Sequence, residues 1–487
     1  MQFETVIGLE VHVQLLTETK LFCGCPNRFT LDMNRHVCPV CLGQPGVLPV
    51  LNREAFAKAV TAALALGCTV APFTKFDRKH YYYPDLPKNY QISQYDLPLG
   101  RDGHLDVVCG EATKRVGIER VHLEEDAGKL LHEPGRSLVD LNRTGTPLLE
   151  IVSRPDLRSP EQARAYLLLL RQTLRYIGVS DCNMQEGSLR CDANVSVRPV
   201  GDGALGVKNE IKNMNSFKGV EHGLSLVRDE LVAAVERDEP LRQVTWGYSV
   251  DAGRVFRMRT KEYANDYRYF PDPDLPPVRV SEAWIASARE GLPELPAPRR
   301  ERFVREYGLS EYDAEVLTAE RGMADYYEDL TRATGDPKAS ANWVQNDVLR
   351  ALNERGLTIE AFPVTAAMLA ELMGLVDGGT VNMPTARELF GRLVEQGGGS
   401  AAALVQAEGL GQVADADRIA ALLDEAVARN PKAAKDLENG RLKSAGYFIG
   451  QVMRGLQGRG DPRAIQAAIA DRFDIDPSLL AKGKKKK

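Results

Sequence analysis

The 487-residue chain has no run of 18 apolar residues, and Met1-Gln2-Phe3-Glu4 lacks a basic stretch leading into an apolar core. Neither a membrane span nor a secretory signal is expected, and a cytoplasmic location is. A Gly-x4-Gly-Lys-Ser/Thr segment is missing, so nucleotide chemistry, if present, is not of the P-loop kind. So is a Gly-x-Ser-x-Gly elbow, which removes the usual hydrolase serine. No internal repeat is visible, which argues against a solenoid. Cysteine is scarce, eight in the whole chain, and a cytosolic protein with so few is expected to use them as thiols or metal ligands and not as a disulfide framework.

What is present is ordinary in bulk and uneven in distribution. Hydrophobic residues make up 44% and charged residues 26%, as in a soluble enzyme, and the length calls for two or three domains. The net charge of −5 hides an asymmetry, because residues 430–487 hold 13 Lys/Arg against 6 Asp/Glu. A basic end on an acidic body suits a polyanion docking away from an acidic site. Part of the excess is Lys482 and Lys484 to Lys487, which reads as a disordered end over 479–487.

Three regions follow. Residues 1–292 show β-like alternation broken by Pro/Gly turns and a few helices. The clearest helix runs from Ser159 to Ile177, with Ser159 as cap, Pro160 at the first position and an apolar stripe through Leu167, Leu170, Leu174 and Ile177. Strands and helices do not alternate regularly, so the fold class is α+β with a mainly antiparallel sheet. Leu292 to Pro298 reads as a linker into an all-α domain over 293–400, and Gly397-Gly398-Gly399-Ser400 marks a joint to a small helical tail domain over 401–478.

Acidic residues recur on short extended segments. In Val6 to Leu15, Glu10 and His12 project from one face while Ile7, Leu9, Val11 and Val13 cover the other. His122 to Asp126, Leu148 to Val152, Arg190 to Val195 and Asn209 to Lys212 bring Glu124, Glu125, Glu150, Asp192 and Glu210 among apolar neighbours. Buried carboxylates need partners, and divalent cations are one kind. Alternation groups Glu124 with His122 and Asp126 and puts Glu125 opposite, without saying which face looks inward.

Cys23-Gly24-Cys25 and Cys38-Pro39-Val40-Cys41 are two thiolate pairs across a short loop. The spacing suits a tetrahedral four-cysteine zinc site with no open position, hence structural; reduced, unmetallated thiols are the alternative. Cys68, Cys109, Cys182 and Cys191 lack such spacing.

Tyr81 to Gln94 is too polar and proline-broken for a core strand. Its rings beside Lys88 and Asn89 suit a pocket for an adenine base or a nucleic-acid end, or a loop packed on a sheet edge. Leu141 to Pro147, with Arg143, and Glu186 to Arg190 offer backbone N–H groups, hydroxyls and arginines to a phosphate. Lys208, Lys212 and Lys261 are further cations for phosphate charge. In the tail, Lys432, Arg441, Lys443, Arg454 and Arg459 lie beside small residues, as a phosphate-backbone contact surface requires; solvated helix faces explain the same charges.

Several of these segments carry a resemblance. Gly8 to Leu15, Tyr83-Pro84-Asp85-Leu86-Pro87-Lys88, His122 to Lys129, Asp140-Leu141-Asn142-Arg143, Gly187 to Asn194 and Asp266-Tyr267-Arg268-Tyr269-Phe270-Pro271 together resemble the B subunits of the aspartyl/glutamyl-tRNA(Asn/Gln) amidotransferases, in order and over essentially the whole chain. The resemblance implies a cradle-shaped catalytic domain similar in fold to glutamine synthetase. It also implies ATP-dependent phosphorylation of the side-chain carboxylate of Asp or Glu mischarged onto tRNA(Asn) or tRNA(Gln), followed by amidation with ammonia. Metal-lining side chains would be Glu10, His12, Glu124 or Glu125, Glu150, Asp192 and Glu210, with His12, one of Glu124/Glu125, and Glu150 holding the first Mg²⁺. Arg143, Arg190, Lys208 and Lys88 would contact ATP. The chain has no evident nucleophile for releasing ammonia from glutamine. The implied partners are therefore an amidase subunit and a small third subunit in a heterotrimer, with the mischarged tRNA and the synthetase that supplies it. Zinc is absent from some relatives, which makes it a local structural feature.

Two rival functions compete with this reading. One is a zinc-stapled tRNA-binding scaffold whose acids hold only a structural cation; the other is an amide ligase acting on a free small molecule, for which the basic tail would be superfluous.

Overall fold

The computed structural model describes residues 2–260, 266–411, 416–456, 458, 460–476 and 479. Lys261, Arg459 and the lysine-rich end over 480–487 lie outside the described residues. The chain forms two compact units, Met1–Arg299 and Arg300–Lys487.

The first unit is organised by a nine-stranded sheet. Its strands run in the order Arg254–Thr260, Val244–Ser249, Asn209–Met214, Leu189–Pro199, Phe3–Gln14, Pro147–Ser153, Ala112–Glu125, Gly100–Cys109 and Thr69–Val70. Neighbours pair antiparallel except Asn209–Met214 with Val244–Ser249, which are parallel. The α+β, largely antiparallel class expected from the irregular strand and helix succession is therefore the class observed. The first strand is central because both of its edges are taken, by Pro147–Ser153 and by Leu189–Pro199.

The two faces of this sheet differ. Ile7, Leu9, Val11 and Val13, with Leu149, Ile151, Val121 and Leu123 from its neighbours, are buried in one continuous apolar core. The helices Arg53–Ala65, Pro160–Tyr176 and Phe217–Glu236 add Phe56, Leu167, Leu170, Leu174, Val220 and Leu224 to it. Pro160–Tyr176 begins where its sequence dictates: the Ser159 side chain accepts from the Gln162 N–H, and Pro160 occupies a position that needs no donor. With helices covering the apolar face, the polar alternates of the same strands occupy the opposite one.

A second, three-stranded sheet joins Phe270–Pro271, Asp77–His80 and Tyr90–Ser93. Tyr90–Ser93, at the edge of this sheet, is a short buried strand inside the segment expected to be too polar and proline-broken for a core strand. Gln91, Ile92 and Ser93 are buried, because neighbouring groups satisfy their polar atoms: the Gln91 amide donates to the Glu125 carbonyl at 2.8 Å.

The second unit is helical among its described residues and holds two apolar clusters. One is built from Phe303, Leu317, Tyr327, Leu330, Val344, Leu372, Leu389 and Leu393. The other, from Ile419 to Ile469, centres on Phe448 and Val452. The segment expected as a linker, Leu292 to Pro298, runs up to the boundary between the two units, and the one expected as a joint, Gly397 to Ser400, lies inside the second unit. Pro296 and Pro298 lie in the first turn of the helix Pro296–Tyr307, where proline costs no hydrogen bond. Gly397, Gly398 and Gly399, all at positive φ, form a turn, after which Ser400 caps the helix Ala401–Glu408. Ala401 and Val405 bury in the same cluster as Phe303, so this core continues past the glycines.

Candidate active site

Strand register puts three titratable side chains in a row. His12 pairs with Glu150 across one strand boundary, and Glu150 pairs with His122 across the next. The Glu150 Oε2 lies 3.4 Å from the Nε2 of each imidazole, and an Arg120 terminal nitrogen lies 3.6 Å from the other oxygen. Glu10, two residues before His12 on the same face, brings an oxygen to 3.6 Å from His12 Nε2, and Glu124 brings one to 3.8 Å. Glu10, His12 and Glu150, and likewise His122, Glu124 and Glu150, each bring ligand-type atoms within 4.8 Å of one another.

Burial makes these charges strongly interdependent. Burial by itself would lower the His12 pKa, but Glu150, Glu124 and Glu10 outweigh it and raise it to about 9. Glu124 is pushed up to about 7, first by burial and then by Glu150. Burial and the Glu150 charge likewise raise Glu10. His122 is pushed down to about 4 by its complete burial, which the nearby Glu150 only partly opposes. Burial would raise Glu150, yet the His122 and His12 imidazoles and Arg120 hold it below the usual carboxylate range. A divalent cation fits this donor set, because three carboxylates and one imidazole converge, and a metal there would take the place of the proton on His12.

The choice between Glu124 and Glu125 follows from the same geometry. Glu124 faces His12 and accepts from the Ser93 hydroxyl at 3.3 Å. Glu125 is turned away: its Oε1 accepts from the Ile92 N–H at 2.9 Å and pairs with Lys88. Lys88, expected as an ATP contact, is thus paired with the buried Glu125 carboxylate, and such a pair is costly to separate.

Asp192 and Glu210 sit to one side of the row. Asp192 pairs across the strands with Glu10, and Lys212 bridges Asp192 and Glu210, 3.2 Å from the latter. Burial would lower the Lys212 pKa, but both carboxylates raise it. On the other side, Arg190 donates to Asp126 at 2.6 Å and Gln14 does so at 3.0 Å, while the Arg143 Nε lies 3.5 Å from the same oxygen. Arg143 also donates to the Ala127 carbonyl at 2.9 Å. Lys208 is exposed just before the Asn209–Met214 strand, outside this constellation.

Sequence reasoning missed the roles of four residues. Asp126 is the anion that fixes both arginines; alternation grouped it with Glu124 and His122, but nothing in its local sequence assigned it that role. Lys79 is raised by Glu124, Tyr269, Glu150 and Tyr267 against the lowering effect of burial, and its ammonium stands 5.0 Å from the Tyr267 ring centroid. Tyr95 and Tyr269 stack at 4.1 Å, joining segments far apart in the chain. The Tyr-rich runs were the visible signal; their meeting was not.

The four paired cysteines converge elsewhere in the unit. The Cys41 sulfur lies 3.6 Å from that of Cys23, 3.8 Å from Cys38 and 3.9 Å from Cys25. Sulfurs on a tetrahedron around a metal at about 2.3 Å are separated by about 3.8 Å, so the set fits zinc. Lys20, fully buried, donates to the His36 carbonyl at 2.7 Å and lies 3.5 Å from the Cys41 sulfur. The Cys23 hydrogen bond, opposed by burial and aided by Lys20, pushes the Cys41 thiol down to about 4. The knuckle is tied to the Arg143 loop, since His36 N–H donates to Asn142 Oδ1 at 2.8 Å and Asn142 donates to the Asp32 carbonyl at 2.8 Å.

In the tail, Lys432, Arg441, Lys443 and Arg454 are exposed. Arg441 is partly occupied by Asp436 at 2.9 Å. No described helix is long and apolar enough to cross a membrane.

A family model described as the GatB/GatE catalytic domain matches residues 5–286, and one described as the GatB domain matches residues 325–473. The B subunit of the aspartyl/glutamyl-tRNA(Asn/Gln) amidotransferase of Carboxydothermus hydrogenoformans is 49% identical over 477 residues, covering 97% of this chain and 99% of that protein. The protein of the same name from Thermodesulfovibrio yellowstonii is 49% identical over 470 residues, covering 96% and 99%. That from Trichlorobacter lovleyi is 49% identical over 474 residues, covering 97% and 100%. At this identity over nearly the full length of both partners, and with the catalytic-domain match enclosing the acidic row, the chain belongs to the family of aspartyl/glutamyl-tRNA(Asn/Gln) amidotransferase B subunits.

Proposed function

We propose that this chain converts Asp-tRNA(Asn), Glu-tRNA(Gln) or both into the corresponding amides for translation, using ATP and ammonia from a partner amidase subunit. The observation that carries this reading is the His12–Glu150–His122 row with Glu10 and Glu124, on the polar face of the central strands. A carboxylate does not exchange oxygen for nitrogen directly. Its oxygen first attacks the γ-phosphorus of ATP and ADP leaves; ammonia then attacks the acyl carbon, inorganic phosphate leaves, and nitrogen gives up a proton.

Glu10, His12, Glu124 and Glu150 would hold Mg²⁺, with Asp192 and Glu210 extending the acidic lining. Bound there, the ion would neutralise charge on phosphate oxygens. Arg190 and Arg143, fixed in direction by Asp126, would present guanidinium N–H groups to the transferred phosphoryl group. Lys79 would offer a further cation, held close to the acids by its aromatic surroundings. The four cysteines would hold a structural zinc that stiffens the loop carrying Asn142 and Arg143. In the tail, Lys432, Lys443 and Arg454 would take the tRNA backbone, with Arg441 joining them on release from Asp436. A heterotrimer with an amidase and a small third subunit, working in the cytoplasm, completes the supply of ammonia.

The test is ATP-dependent amidation of both mischarged tRNAs with the partner subunits present and ammonium replacing glutamine. His12→Ala and Glu150→Ala should still bind tRNA while losing ATP cleavage and amide formation. Retention of both activities would place the chemistry on another subunit.

A further inference from the structure

His122 is the most enclosed member of the row, 2% exposed. Its strand register sets it directly across from Glu150, and its Nε2 stands 3.4 Å from the same oxygen that His12 approaches. Two acceptors do not attract, so the Nε2 facing the carboxylate carries the hydrogen. The Nδ1 is buried without a hydrogen-bond partner. Leaving a buried polar atom unsatisfied is unfavourable, and an apolar side chain of similar volume would avoid it, so packing alone does not account for a histidine here.

We propose that His122 is a positioning residue, which donates from Nε2 to Glu150 and fixes the orientation of that carboxylate toward the divalent cation held by Glu10, His12 and Glu124. The inference rests on the reading of the acidic row as a cation site. Arg120, 3.6 Å from the other Glu150 oxygen, restrains the carboxylate from its second side. Donors to a ligating carboxylate set its direction and basicity, and their loss typically weakens metal binding about 10-fold to 100-fold.

The side-chain amide of Gln places an N–H close to where Nε2 stands, whereas the shorter Asn matches Nδ1. The experiment is therefore direct Mn²⁺ titration of the full-length zinc-loaded chain, followed by the loss of the free-ion electron paramagnetic resonance signal. Wild type is compared with His122→Gln, His122→Asn, His122→Leu and Glu150→Ala, with melting temperature read for each. The expected result is affinity about tenfold weaker or worse for Asn and Leu and recovery in Gln. Equal Mn²⁺ affinity in wild type and Leu would overturn the role of His122 alone. Gln as weak as Asn, at unchanged melting temperature, would also overturn it by showing that donation to Glu150 is not what matters. Should Leu fail to fold, the Gln and Asn pair still decides. If wild type binds no better than Glu150→Ala, the cation reading itself fails, and this inference with it.

Discussion

The two candidate metal centres of the first unit are assembled in opposite ways. The cysteine knuckle takes four ligands from a single short stretch, Cys23 to Cys41, and brings their sulfurs together through local turns. The acidic row takes its members from strands far apart in sequence, Glu10 and His12 from one, His122 and Glu124 from another and Glu150 from a third. The local centre is closed and uses soft donors, which suits a staple. The distributed one is bordered by arginines and tyrosines and uses hard donors, which suits a substrate-facing ion. Distribution also means that the second site exists only if the whole sheet is in register.

The largest effect expected from breaking this contrast is in the distributed site. Glu150→Ala removes the carboxylate shared by both ligand groups and should lower ATP cleavage by about 10³-fold, a loss of the size seen when a preorganised electrostatic group is deleted. Steady-state kinetics with unchanged tRNA affinity would check it. Next comes Glu125→Ala, which leaves Lys88 buried and unpaired. It should cost about 3 kcal/mol of stability in chemical denaturation, while Glu124→Gln should alter metal dependence with a much smaller stability loss. Cys41→Ser should abolish zinc binding and raise hydrogen exchange across residues 20–50. Its effect on turnover should be about tenfold or less, since the knuckle supplies no member of the acidic row and is tied to the loop that carries Asn142 and Arg143. The smallest effect belongs to the tail. Lys443→Ala or Arg454→Ala should each reduce the slope of log tRNA affinity against log salt by about one, with no change in turnover at saturation.

Some of this was legible along the chain. The cysteine spacing identified four thiols able to converge, because a short loop leaves them few ways to stay apart. Period-two alternation placed Glu10 and His12 on one face and apolar residues on the other, which is what the central strand shows. The cap and stripe of Pro160–Tyr176 located that helix to within its terminal residues. Linkers were less legible. Proline at 296 and 298 is as compatible with the first turn of a helix as with an extended link, and the glycine run at 397 to 399 turns a chain without ending its core.

The sequence by itself determined which side chains share a strand face and which cysteines share a loop, because both depend on backbone geometry over a few residues. The tertiary structure alone decided that Glu124 and not Glu125 faces His12, that Lys88 is taken by Glu125, and that Asp126 gathers two arginines. Those outcomes depend on which strands are neighbours and which face the helices cover, and burial of apolar area across the entire first unit sets both.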